Sequence, residues 1–307
     1  MVYKRGLWVW NTTTILSNAA YATQFFTDCK NAKITDLFLY VQASTFSNVT
    51  QMKTFVSKAS SLGLFCWGLD GSRGYFKDSN GPAGLIKNID AMISYNSKVS
   101  EDARFIGFQT DNEPEDNAKY GKSFHDDIPN SKLSKTSGGY WQKTQSLDRE
   151  MLLRDWLDLH RDLKTKLKMQ GLLLGAALPS WTDDYYGEPL SCTWNGATKS
   201  VMQHFVGILD TLNVMSYQTD PAKIITRITG EVSYASNQTG NPTVLVYGGV
   251  ETVSGRGAAV TYGDNSTKRK KSAVLTDIAK VEKAFSTYKA FGGMNIHDYE
   301  GWKALPA

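Results

Sequence analysis

The chain has 307 residues, of which 41% are apolar, 12% aromatic and 21% charged, with 34 Lys and Arg against 30 Asp and Glu. That apolar content excludes a disordered chain, and the near balance of charge offers no basic face to a nucleic acid. No uncharged apolar run approaches the roughly 18 residues of a membrane span, and Cys29, Cys66 and Cys192 are too few and too far apart for a disulfide framework or zinc site; at most one bridge is available.

Met1 runs through Val2, Tyr3, Lys4 and Arg5 directly into a strand-like stretch, which leaves no room for a secretory h-region. Either the chain is cytoplasmic, or a start Met stands where a leader was removed. Four Asn-X-Ser/Thr sequons (Asn11, Asn48, Asn237, Asn265) look like secretion, although a chain rich in Asn, Ser and Thr carries some by chance. The extracellular reading is favoured.

In chain order, Gly6–Trp10 is the first short apolar run, and Asn18–Ala32 follows as a helix with Phe25 and Phe26 on one side. Asp36–Val41 is a second strand, before a helix over Thr50–Leu62 that carries Met52, Phe55 and Ala59 at helical spacing. Leu64–Leu69 leads into a long stretch, Asp70–Gly84, and Phe105–Thr110 into a longer one, Pro114–Gln145. Asp148–Met169 is the clearest helix, with Leu152, Trp156, Leu159 and Leu163 in one stripe. Strands over Leu172–Leu178, Leu212–Tyr217 and Thr243–Tyr247 come next, then a helix over Val274–Ala290 and a last strand, Gly292–Ile296. The strands are nearly continuous in apolar character, as expected of a parallel sheet buried on both faces.

Eight strands at roughly 38 residues per βα unit predict α/β architecture, a single (β/α)8 TIM barrel over 1–307 with extended loops after strands three and four. An open doubly wound sheet is the alternative, but no Gly-x-Gly-x-x-Gly follows the first strand. The basic run Lys268–Lys271 reads as a solvated loop.

Barrel enzymes build their sites just past the strand ends. Here those positions hold Trp10, Asp70, Asp111, Glu113, Trp181, Tyr217, Gln218, Glu251, His297, Asp298 and Glu300. Carboxylates and aromatic rings dominate; His and Cys do not cluster, so no metal or organic cofactor is implied. Such a mixture suits a sugar, because carboxylates accept from ring hydroxyls and aromatic faces cover the apolar faces of a pyranose. Asp111 and Glu113, two residues apart, point to one side at the end of a buried strand. A second carboxylate disfavours ionisation of the first, as a general acid requires. The competing reading is an acidic turn serving solubility.

Other positions carry weaker signals. Trp8 and Trp10 share a side, expected to be the barrel interior. Tyr217, followed by Gln218 and Asp220, reads as part of a polar rim. Asp70 suits a turn as well as a ligand. Trp181, Asp183, Asp184, Tyr185 and Tyr186 read as a sugar-contacting loop or a capped turn. His297, with Asp298 and Trp302, lines the pocket or packs in the barrel, and His125, His160 and His204 read as surface or helix positions.

Several strands resemble the family-eighteen glycoside hydrolases, the chitinase-like barrels. Their fourth strand reads Asp-Gly-x-Asp-x-Asp-x-Glu, and here Ile106-Gly-Phe-Gln-Thr-Asp-Asn-Glu113 keeps Gly107, Asp111 and Glu113 while Ile106 and Gln109 stand where Asp is expected. Gly175-Ala-Ala-Leu-Pro179 is similar to the family's fifth strand, Leu212-Asn-Val-Met-Ser-Tyr217 to its sixth, and the segment from Gly292 to Trp302 to its last, with His297 near the family's Trp. The resemblance implies that Glu113 is general acid and then base, that Asp111 orients the substrate's N-acetyl group, and that Tyr217 hydrogen-bonds its carbonyl. It implies an oligosaccharide or polysaccharide of N-acetylhexosamine as partner, and a monomer is expected. Gln109 cannot share a proton with Asp111.

Two alternatives stay open. Asn112-Glu113-Pro114 also resembles the fourth-strand signature of the retaining glycosidases with two Glu residues, in which Glu251 would be the nucleophile unless it is a loop-surface Glu past Tyr247. The other is a chitinase-like sugar-binding barrel without turnover.

Overall fold

Each predicted strand pairs in parallel with its chain neighbour. In the computed structural model, which describes residues 3–71, 81–113, 146–185, 188–239 and 244–307, the strands are β1 Lys4–Val9, β2 Asp36–Tyr40, β3 Phe65–Asp70, β4 Gly107–Thr110, β5 Leu173–Pro179, β6 Thr211–Met215, β7 Leu245–Glu251 and β8 Phe291–His297. β8 pairs back onto β1 with Gly6 opposite Asn295, which closes the barrel. The helices around it are α1 Thr12–Ser17, α2 Ala19–Ala32, α3 Val49–Ser61, α4 Gly81–Asn96, α5 Ser146–Lys168, α6 Val201–Val206, α7 Pro221–Ser236, α8 Lys271–Ala284 and α9 Tyr299–Ala304.

Local chemistry sets the helix starts. Asn18 and Asn48 accept from the backbone N–H of Tyr21 and Gln51 at the heads of α2 and α3, and Asp220 accepts from Ala222 N–H ahead of Pro221 in α7. The stripe predicted for α5 is present, with Leu152, Trp156 and Leu163 buried.

Alternate strand residues face opposite ways, so the barrel separates two cores. Outward residues such as Leu7, Leu37, Phe108, Leu212 and Val246 pack under the helices. Inward, Trp8, Phe38 and Trp67 lie in register on β1, β2 and β3, with ring centroids 5.9 Å apart at each step. Gly107 continues that row; a Cβ there would meet the Trp67 ring at 2.6 Å. The opposite half of the interior is polar. Asn213 of β6 donates to Gln109 of β4 at 2.6 Å and accepts from Asn295 of β8.

Three expectations are corrected, and one element is new. β7 runs on through Gly248 and Gly249 to Glu251 instead of ending at Tyr247, because Tyr217 and Met294 fill the space above the glycines and β8 pairs along it; Thr243 lies outside the described residues. The last long helix stops at Ala284. α4 begins at Gly81, inside the stretch read as loop; 72–80 and 114–145, and with them His125, lie outside the described residues. A short antiparallel ribbon, Ser191–Trp194 with Ala197–Ser200, was not anticipated. All three cysteines are buried, and burial pushes the Cys66 thiol up to about 12.

Candidate active site

The strand ladder carries β4 one residue beyond its end, since Asp111 N–H donates to Asp70 C=O at 3.0 Å. This sets Asp111 buried and Glu113 half-buried on the C-terminal face. Tyr217 follows β6, with its ring close over Gly249, where a Cβ would stand 3.0 Å away. Burial pushes the Tyr217 phenol well above its usual value, and the charges of Asp111, Glu251 and Glu113 push it the same way, against the Arg256 guanidinium. The phenol therefore keeps its proton and acts as a donor. The same interactions put Asp111, Glu113, Glu251 and Arg256 within electrostatic reach of one hydroxyl.

Opposite lies a connected set from three strands. Trp10 Nε1–H donates to His297 Nε2 at 2.9 Å, so the ring's proton is on Nδ1, which donates to the Glu251 carboxylate at 3.1 Å. Glu251 Oε1 also accepts from the N–H groups of Thr252 and Val253, both at 2.8 Å, and Oε2 pairs with Arg256 Nε at 3.1 Å. The Arg256 turn is wrapped around Asp264, whose carboxylate accepts from the N–H groups of Gly255, Arg256 and Gly257 at 2.8–2.9 Å. Those three bonds hold the Asp264 carboxyl below its ordinary range. Gly255 and Gly257 supply the positive φ, 92° and 90°, that this turn needs.

The barrel matches solved chitinases along its whole length. The C-terminal domain of a putative chitinase from Desulfitobacterium hafniense DCB-2 aligns with a TM-score of 0.58 at 12% identity, covering 98% of this chain and 95% of that one. A plant class V chitinase mutant from Cycas revoluta, in complex with (GlcNAc)3, gives 0.55 at 12% identity, covering 99% and 97%. A class V enzyme of the same kind from Pseudomonas fluorescens Pf-5 gives 0.52 at 11%, covering 98% and 96%. The chain has the chitinase fold. No family model matches the sequence, and no curated protein matches it.

On this chitinase fold, the predicted residues separate into groups. Asp111, Glu113, Tyr217, Glu251, His297 and Trp10 come together at the mouth. Asp70, at the end of β3, is buried and accepts from Asn88 of α4 at 2.6 Å. Gln218 is buried beside Tyr217, and Trp181 is half-buried against the core under the helices. Asp298 caps α9 by accepting from Gly301 N–H at 3.0 Å, and burial raises its carboxyl. Glu300 takes bonds from Asn11 and Tyr21. The side chains of Asp184, Tyr185 and Tyr186 lie outside the described residues.

Two readings need correction and one is narrowed. Trp302 does not line the pocket: it is buried under the helices, with Lys271 Nζ 5.7 Å from its ring centre. For His160 and His204, read as surface or helix positions, the helix alternative holds: they lie on α5 and α6 and are buried. His160 is enclosed between Thr110 Oγ1 and the Trp156 carbonyl, and His204 faces the Cys192 carbonyl. Glu251 is neither a loop-surface residue nor placed as a nucleophile. It is the last residue of β7 and 0% exposed, enclosed by the N–H groups of Thr252 and Val253, His297 and Arg256, so no face of its carboxylate is open to a sugar.

Reasoning from strand ends missed Tyr40, Arg256 and Asp264. Tyr40 ends β2, its ring 5.5 Å from Trp10, and Gln42 donates to its hydroxyl at 2.8 Å; reading the end of the second strand would have found it. Among the described residues, no group of three His, Cys, Asp or Glu is arranged to hold a metal, and no helix is long and apolar enough to cross a membrane.

Proposed function

We propose that the chain is a glycoside hydrolase for a polymer or oligomer of N-acetylated hexosamine, with the whole of 1–307 as one catalytic domain. The observation that carries this reading is the placement of Asp111 and Glu113 just past β4 and of Tyr217 just past β6, over Gly249, on the C-terminal face of a chitinase-fold barrel. Related solved chitinases hold (GlcNAc)3, which supports an amino-sugar substrate.

Glu113 gives its proton to the bridging oxygen as the glycosidic bond breaks. Asp111 accepts the acetamido N–H and turns that group so that its carbonyl oxygen closes on the anomeric carbon. Tyr217, held as a donor by its surroundings, hydrogen-bonds the carbonyl and fixes its direction. Glu113, now a carboxylate, takes a proton from a water that opens the cyclic intermediate, and the anomeric configuration is retained. Trp10, Asp70, Gln218 and His297 border the sugar in this reading.

A binding barrel without turnover is the second reading, and Gln109 favours it. Its carbonyl is held by Asn213 and its amide donates to Thr110 C=O at 3.2 Å, so it passes no proton to Asp111. Hydrolysis of labelled N-acetylglucosamine oligomers decides. Turnover by the wild type, lost in Glu113→Gln with binding kept, supports the hydrolase; binding without turnover in both supports the second reading.

A further inference from the structure

The mouth of the barrel is walled by aromatic rings on the β1 and β2 side, and among them Trp10 is at the solvent end. It is half-buried, whereas Trp8, Phe38 and Trp67 beneath it are buried. Its ring is flanked by Tyr40 at 5.5 Å and Trp8 at 6.0 Å. A flat ring at this position can receive the apolar face of a pyranose only if its plane is held before the sugar arrives.

One hydrogen bond holds it, and that bond depends on the rest of the set. Trp10 Nε1–H can donate only while His297 Nε2 carries no proton. Nδ1–H is directed into Glu251, and Glu251 is anchored by two backbone N–H groups and by Arg256, whose own turn is tied to Asp264. The ring of Tyr217 lies over His297 with centroids 5.7 Å apart and planes at 35°. We infer that His297, Glu251 and Arg256 are positioning residues for Trp10, fixing the indole as a stacking platform for a sugar ring and releasing it when His297 takes a second proton. The platform rests on the carbohydrate reading above; the relay itself does not.

The groups that face His297 are Glu251 from β7, Asp111 past β4, its neighbour Asp298, and the neutral rings of Tyr217, Trp8 and Trp10, with Arg256 reaching it through Glu251. Burial works against a second proton, but the Glu251 hydrogen bond and the charges of Glu251, Asp298 and Asp111 outweigh it, and the net direction is up. That proton has only Nε2 to occupy, where it meets the Trp10 N–H. Acid therefore loosens the platform.

The test uses the full chain, with tryptophan fluorescence followed without ligand from about pH 5 to 9. Calorimetric binding of the N-acetylglucosamine tetramer is measured over the same range in a Glu113→Gln background. His297→Gln can still accept from Trp10 and donate to Glu251 but does not titrate; His297→Leu does neither; Trp10→Phe keeps a ring face and loses the N–H. The wild type is expected to show a fluorescence step on acidification that is absent in His297→Gln and Trp10→Phe, and the Glu113→Gln protein to lose tetramer affinity through the same step. His297→Leu is expected to weaken binding about tenfold and His297→Gln to restore most of it, with a flat pH profile. A step that persists in His297→Gln, or wild-type affinity in His297→Leu, overturns the relay. Absence of tetramer binding by the Glu113→Gln protein at every pH overturns the carbohydrate reading and the platform with it, and the fluorescence step still decides the relay.

Discussion

Gln109 Oε1 accepts a 2.6 Å hydrogen bond from Asn213 Nδ2 across the inside of the barrel, and Asn213 in turn accepts from Asn295. Three side-chain amides thus bridge β4, β6 and β8 at a depth where Gln109 has no exposure. Removing one member leaves a buried donor unpaired and a void beside it. Gln109→Ala is expected to cost about 2–4 kcal/mol, read as a lower urea midpoint at unchanged m. A loss below about 0.5 kcal/mol would mean that the amides do not support one another.

The site chemistry separates three side chains by the step each serves. Glu113→Gln removes the proton donor and is expected to lower kcat by about 10²–10⁴ with little change in oligomer affinity. Tyr217→Phe loses only the hydroxyl whose proton is held in place by burial and the neighbouring carboxylates. Its loss should lower kcat without shifting the acid limb of the pH profile. Steady-state kinetics on N-acetylglucosamine oligomers check both, and an unaltered kcat in Glu113→Gln removes the donor from this account.

Glu251 provides a control for the covalent alternative. Because it is buried among Thr252, Val253, His297 and Arg256, it is expected to form no glycosyl ester. Addition of azide to Glu251→Ala should therefore restore no turnover and yield no glycosyl azide. Recovery of activity with azide would instead identify Glu251 as the nucleophile.

His160 makes stability depend on pH. Burial lowers its pKa from 6.5 to about 4, against the weaker effect of the Trp156 carbonyl that accepts from it. The unfolded ring takes a proton near its ordinary value and the folded ring only near the lowered one. Its contribution is therefore fully present above pH 6.5 and is lost as pH falls toward 4, by about 3 kcal/mol in all. Urea midpoints at both ends of that window should fall less in His160→Gln than in the wild type; equal slopes would show that the ring is not the cause.

Residue order alone determined what depends on near neighbours. Apolar runs separated by helical stripes are enough to specify eight parallel strands, because a strand buried on both faces has no polar side to show. The same local reasoning found Asp111 and Glu113, since a strand end and a two-residue spacing are short-range facts. It misread β7, where Gly248 and Gly249 look like a turn until Tyr217 and Met294 are seen to fill the space above them. Only the closed barrel decided the rest. Trp10 and His297 are 287 residues apart and meet because β8 returns to β1. The same closure makes Glu251 an anchor and leaves Glu113 at the mouth. Charge and hydrogen bonding act through distances of a few ångströms in space, and those distances exist only after the sheet has closed.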